Sequence, residues 1–172
     1  MPEKNSFVNS RICISFFIIS TLICLIYSNT LNATWHLDDY HTILNNPEIH
    51  LKQLSFKSIS KTFYSNPNHN NLSRPIACLS FGLNWYFGNN QLIGYHLVNI
   101  VIHILCTFIL FLTIKKLFLT PNLKNSKIVQ YSYFIALLSS ILWAIHPIQS
   151  QAVTYIVQRM AALAALFYII GI

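Results

Sequence analysis

Acidic side chains are nearly absent from this chain: 172 residues include four Asp and Glu against eleven Lys and Arg, and charged residues of all kinds make up 9%. A soluble domain has about a quarter of its residues charged. The deficit, together with 54% hydrophobic residues and a net charge of +7, excludes that class and reads as a membrane protein. No internal repeat and no low-complexity run is present, so nothing divides residues 1–172 into more than one membrane domain. Metal-ligand spacing is also lacking among Cys13, Cys24, Cys78 and Cys106, three of which fall in apolar runs and read as packing residues. No nucleic-acid partner is expected.

Four apolar runs predict an all-α polytopic bundle of about four spans. The first, residues 12–31, is uncharged and reaches roughly 30 Å as a helix, enough for a bilayer core. A cleaved signal peptide is the rival, since Lys4 and Arg11 form a basic flank. The run nevertheless exceeds the usual apolar core of about 7–15 residues, and Asn29 to Ala33 makes a poor cleavage site, so a retained anchor is expected. The second run, 97–114, ends at Lys115-Lys116, and the third, 128–145, follows a connector (115–127) that also holds Lys124 and Lys127 and no acid. Those lysines place the connector and the N-terminus in the cytoplasm and the loop 32–95 outside. Trp35, Trp85 and Trp143 then all fall at the outer interface, where amphipathic rings collect. The fourth run, 153–172, carries Arg159 about 10 Å in. Such a cation must snorkel or be held by protein, and the lack of a polar finish suggests the beginning of something longer.

The outer loop is too long for a turn and too apolar for a disordered tail, so it should fold onto the membrane. Asn45-Asn46-Pro47-Glu48 reads as a helix start. Beyond it, Ile49, Phe56, Ile59 and Phe63 share an arc of about 80° opposite Lys57 and Lys61, as in a helix lying in the interface. Residues 65–73, with Pro67, predict a loop, and 76–87 a second helix. Asn32-Ala33-Thr34 and Asn71-Leu72-Ser73 match the glycosylation acceptor pattern, which is too short to carry weight.

Two of the four acids stand side by side, Asp38 and Asp39, about seven residues beyond the first span. One could cap a short helix over 40–44. Functionally, a carboxylate at the headgroup level, partly desolvated and beside a second negative charge, has its pKa pushed towards useful base strength. Neighbouring side chains diverge, so one of the pair would do chemistry and the other support it. Glu48 is a poorer base, because a helix start explains it. His96, Asn99 and His103 recur at i, i+3 and i+7 and form a polar face on the second span, where interhelical hydrogen bonds are the structural reading. His146-Pro147 closes the third span on the outer side. No ligand spacing supports a metal site built from His36, His41, His96 and His146. No cofactor is expected, and a divalent cation is left open.

In order along the chain, Trp35-His36-Leu37-Asp38-Asp39, Ile43-Leu44-Asn45-Asn46-Pro47, Arg74-Pro75 to Ser80-Phe81, Gly94-Tyr95-His96-Leu97-Val98-Asn99-Ile100 with His103, and His146-Pro147-Ile148-Gln149 to Gln158-Arg159-Met160 form one pattern. It resembles the N-terminal membrane part of the transmembrane, tetratricopeptide-repeat-containing O-mannosyltransferases and their bacterial relatives. The resemblance implies a GT-C glycosyltransferase that takes a sugar, mannose in this family, from a polyprenyl phosphate and places it on a Ser or Thr hydroxyl of an acceptor protein outside the cytoplasm. The family's acidic motif falls on Asp38 and Asp39 as catalytic residues. Arg74, His96, His146 and Arg159 are the candidates for the donor phosphate, whose leaving charge needs fixed positive or hydrogen-bonding groups. The chain departs from many relatives in having Ala161-Ala162 where an acid follows the arginine, and later spans and tetratricopeptide repeats are missing. A truncated, non-catalytic module that assembles with a second chain is therefore the alternative. The likeness of Tyr155 to Met160 to bacterial members favours a bacterial inner membrane.

Overall fold

The computed structural model describes residues 2–65 and 72–172, with side chains from Ser10 onward. It is helical throughout these residues, with no strand among them. Helix α1 runs Pro2–Ile26 and passes through a 3-10 turn, Ser28–Asn32, into the acidic loop. Short elements follow: a wide turn at Tyr40–Leu44, then α2 (Phe56–Thr62) and α3 (Pro75–Gly88). The remainder is α4 (Leu92–Leu117), a 3-10 turn at Lys127–Tyr131 leading into α5 (Ser132–Ile145), α6 (Gln149–Thr154), a 3-10 turn at Ile156–Gln158 and α7 (Arg159–Ile170).

Helix α4 is the axis of the fold and packs against α1, α3, α5, α6 and α7. Its sequence contains no proline, and its last turn carries Lys115 and Lys116, whose charge suits the carbonyl end of a helix. One side buries Ile100, Ile104 and Phe111 against Ile19 and Ile23 of α1 and Ala136 and Ala144 of α5; the other sets Ile102 and Cys106 against Leu166 of α7. Helix α5 stops at His146 because the residue before proline is kept out of helical geometry, and its backbone there is extended. Among the described residues, two helices are long and apolar enough to cross a membrane, Leu92–Leu117 and Lys127–Ile145.

The structure differs from the sequence expectation at both ends of the bundle. The first apolar run is not α-helical to residue 31: α1 ends at Ile26, and the 3-10 turn Ser28–Asn32 takes over the end of the run. The fourth run is not one helix from 153 to 172. Tyr155 is extended and splits it into α6 and α7. The break is held by side chains rather than by proline or glycine. Asn99 Nδ2 donates to the carbonyls of Val153 and Ile156 (3.2 and 3.4 Å), and Asp39 Oδ1 accepts the Val157 N–H (2.8 Å). Backbone groups that helix continuation would have satisfied are satisfied from outside.

In the outer loop the expected helix start at Pro47 is not realised. Asn46 folds the chain back on itself, with Oδ1 accepting the Glu48 N–H and Nδ2 donating to the carbonyls of Thr42 and Ser65. The helix begins only at Phe56, where the Ser55 hydroxyl accepts the Ser58 N–H. Ile49 thus leaves the expected stripe and is buried with Ile43, Phe81, Tyr95 and Ile156. Gly82 lets α2 approach α3, since a Cβ there would meet Thr62 Cγ2 at 3.0 Å. The predicted loop at 65–73 and Asn71 of the second acceptor pattern fall largely outside the described residues, as does the side chain of Lys4.

Candidate active site

The two aspartates point apart, and the backbone shows why. Leu37 is held at φ 35°, a left-handed conformation that a branched side chain rarely adopts. That kink turns Asp39 inwards and leaves Asp38 outside. Asp39 is 0% exposed, and its two oxygens accept the N–H groups of His36 (3.0 Å) and Val157 (2.8 Å), tying the acidic loop to the break between α6 and α7. Burial pushes its carboxyl above the ordinary value, against the pull of those two N–H groups. Asp39 precedes the turn at Tyr40–Leu44, but its side chain makes no capping bond there, so helix capping does not account for it. Asp38 is exposed, and its N–H donates to the Tyr155 hydroxyl at 3.0 Å.

Asp38 lines a cleft of ≈ 470 Å³ together with His41, Arg74, Gln158 and Met160. Arg74 lines it from the start of α3, which it caps in a left-handed backbone conformation (φ 54°, ψ 47°). Pro75 keeps the preceding residue out of the right-handed region while occupying the first helical position itself. An arginine in this geometry costs on the order of 1–3 kcal/mol, and such strain collects at functional sites. Its Nη1 donates to Met160 Sδ at 3.2 Å. Of the three non-glycine residues with positive φ among those described, Arg74 lines the cleft and Leu37 immediately precedes Asp38, which also lines it.

Arg159 lies behind the cleft at 0% exposure. Its Nε donates to Asn99 Oδ1 (2.7 Å), Nη1 to Ser80 Oγ (3.1 Å) and Asn84 Oδ1 (2.7 Å), and Nη2 to the Tyr95 carbonyl (2.9 Å). Its guanidinium also sits 4.6 Å from the Phe81 ring centre. This is a buried cation solvated by neutral acceptors and an aromatic face, without an ion pair among the described residues.

The polar face of α4 runs alongside. His96 Nε2 reaches the Ala33 carbonyl (3.2 Å) while its Nδ1 is buried without a partner, and His103 Nε2 reaches the Ala144 carbonyl (3.0 Å) between the rings of Tyr27 and Trp143. His146 is exposed at the end of α5, its Nδ1 accepting the Ile148 N–H, and it does not line the cleft. Of the residues proposed from sequence, the structure thus brings Asp38 and Arg74 to one cleft, sets Asp39, Asn99 and Arg159 beneath it as a network, and leaves His146 elsewhere. Sequence reasoning missed Tyr155 and Gln158, and weighed His41 only as a metal ligand and not as part of this cleft. Tyr155 and Gln158 stood inside the run quoted for the family likeness, with nothing local to mark their side chains. Among the described residues no three His, Cys, Asp or Glu side chains converge as a metal site would need.

Fold and site together define, among the described residues, an all-helical arrangement with two helices long and apolar enough to cross a membrane and an acidic loop folded against a broken helix. Compared with known proteins, the chain is similar over most of its length to curated protein O-mannosyl-transferases. A relative in Caenorhabditis elegans is 31% identical over 163 residues, 92% of this chain and 21% of that protein. Protein O-mannosyl-transferase TMTC3 of Homo sapiens is 32% identical over 147 residues, 83% and 15% respectively, and Tmtc1 of Drosophila melanogaster 30% over 156 residues, 88% and 17%. The resemblance read from the motifs is therefore shown, and the chain spans about a fifth of the length of these relatives or less. No family profile and no solved structure matches it.

Proposed function

We propose that this chain forms the catalytic front of a GT-C glycosyltransferase, one that moves mannose from a polyprenyl phosphate to a Ser or Thr hydroxyl of a protein on the outer side of the membrane. The observation that carries the reading is that Asp38 and Arg74, an accessible carboxylate and an accessible cation, line one cleft. Asp38 takes the proton from the acceptor hydroxyl as its oxygen bonds to the sugar's anomeric carbon. The bond from that carbon to the phosphate oxygen breaks, and the electron pair leaves with the polyprenyl phosphate, whose charge Arg74 meets. Asp39 supports by fixing the loop, and Arg159 by fixing the break beneath it.

The same proposal takes the apolar parts of α1 and α7 as the first and fourth spans, with α2 and α3 in the outer interface and the N-terminus and the lysine-bearing connector in the cytoplasm. Further spans and tetratricopeptide repeats belong to the remaining length of the relatives. A bacterial inner membrane is supported by the likeness of Tyr155 to Met160 to bacterial members alone; the relatives named above are animal proteins.

The test is transfer of radiolabelled sugar from membrane polyprenyl-phosphate donors to protein, in cells producing the parent chain or Asp38→Asn. Label that depends on Asp38 is the expected result. Equal label in parent and variant sinks the assignment, and no label from either, with both inserted, leaves the non-catalytic module that assembles with a second chain.

A further inference from the structure

Arg74 carries a full charge into the cleft, yet its side chain rests on a neutral partner. Among the described residues, the acceptor for its guanidinium is the sulfur of Met160, 3.2 Å from Nη1. Asp38 lines the same cleft, and the one ion pair among the described residues lies elsewhere, between Lys61 and Glu48. The two charges thus share the cleft without closing on one another. A thioether is a weak acceptor, so it can orient a cationic donor and still release it to an anion. Met160 is also firmly placed. It follows Arg159, whose guanidinium is tied to three side chains and a carbonyl, and it packs against the cluster of Ile43, Ile49, Phe81, Tyr95 and Ile156. Its residue nevertheless lines the cleft, and the contact with Arg74 is exposed.

We propose that Met160 is a modification site, an oxidisable latch on Arg74 that hydrogen peroxide closes. The sulfur lone pair takes one peroxide oxygen, the O–O bond breaks and the other oxygen leaves as water; the sulfur is oxidised by two electrons and the peroxide reduced by two. The resulting sulfoxide carries an oxygen acceptor on the same flexible side chain. That oxygen replaces the thioether as the partner of the Arg74 guanidinium and holds it by a charge-assisted hydrogen bond. An anion entering the cleft must then break this bond, so oxidation withdraws Arg74 from its ligand. That the ligand is the donor phosphate rests on the glycosyltransferase reading above; the latch itself is a property of the two side chains.

The experiment treats the full chain in detergent with hydrogen peroxide and then with phenylglyoxal, which adds to accessible guanidinium groups. Peptide mass spectrometry locates both modifications, with Met1 and Arg11 as internal references. The expected result is one added oxygen on Met160 and modification of Arg74 slowed at least about threefold relative to Arg11. In Met160→Leu, which conserves volume and removes the sulfur, peroxide should leave the Arg74 rate unchanged. Met160→Gln, whose amide oxygen imitates the sulfoxide, should slow Arg74 without peroxide. A Met160 that stays reduced while Met1 is oxidised, an Arg74 rate indifferent to oxidation, or a Met160→Leu protein that still responds overturns the proposal. The donor KM is a separate readout, expected to rise at least about tenfold on oxidation of the parent and not in Met160→Leu. A slowed Arg74 with an unmoved donor KM removes Arg74 from the donor site and leaves the latch standing, so the two readings fail separately.

Discussion

Asp38 and Asp39 have the same chemistry and opposite surroundings, so their variants should separate. Asp38→Asn should lower kcat at least about 100-fold, the usual contribution of a general base, without changing thermal stability in detergent, because the side chain is exposed. Asp39→Asn should act on stability and on its pH dependence. Its carboxyl is pushed above the ordinary value by burial, so the native state holds the proton more tightly than the unfolded chain does. Stability from that proton is therefore full below the ordinary aspartate value of about 3.9 and is lost as pH rises through the raised one. Melting temperature should fall over that window in the parent and lose this slope in Asp39→Asn. Arg74 separates backbone from charge. Arg74→Gly relieves the left-handed strain and should match or exceed the parent's melting temperature, yet like Arg74→Ala it should raise the KM for the lipid-linked donor about tenfold or more; an unchanged donor KM in both would remove Arg74 from the site.

At the level of elements, the join between α3, α4 and α7 depends on one side chain. Arg159→Leu would leave Asn99, Asn84, Ser80 and the Tyr95 carbonyl each short of a partner, and a buried group so stranded costs about 1–3 kcal/mol. The variant should lose at least about 2 kcal/mol of stability, read as early proteolysis near the break at Tyr155. Arg159→Lys should not rescue it, because an ammonium cannot span four acceptors set in the plane of a guanidinium. Much of this element scale was legible beforehand. The apolar run of α4 with its terminal lysines, the stop at His146-Pro147 and the helix expected over 76–87, which spans Pro75–Gly88, all follow from local chemistry. The split of the last run was not legible, because the groups that hold it, Asn99 and Asp39, lie more than fifty residues away in the chain.

For the whole molecule, the prediction concerns sidedness. In a cysteine-free background, Asn122→Cys should react with an impermeant maleimide only after the cytoplasmic face is opened, and Ser58→Cys from the outside without opening. Labelling of both from one side would overturn the proposed topology, and with it the meeting of cleft and lipid-linked donor at the outer headgroups.

Composition and run length determined by themselves that this is an apolar, helical chain with runs long enough to cross a membrane, and the ordered motifs carried its likeness to the O-mannosyl-transferases, because both depend only on which residues are present and how far apart they stand. Which aspartate faces the cleft, that Arg74 rather than His146 shares it, and that Arg159 is spent on holding three helices together were decided by the tertiary structure. Burial, backbone strain and hydrogen bonds between distant segments set those outcomes, and adjacent identical residues such as Asp38 and Asp39 are told apart by nothing else.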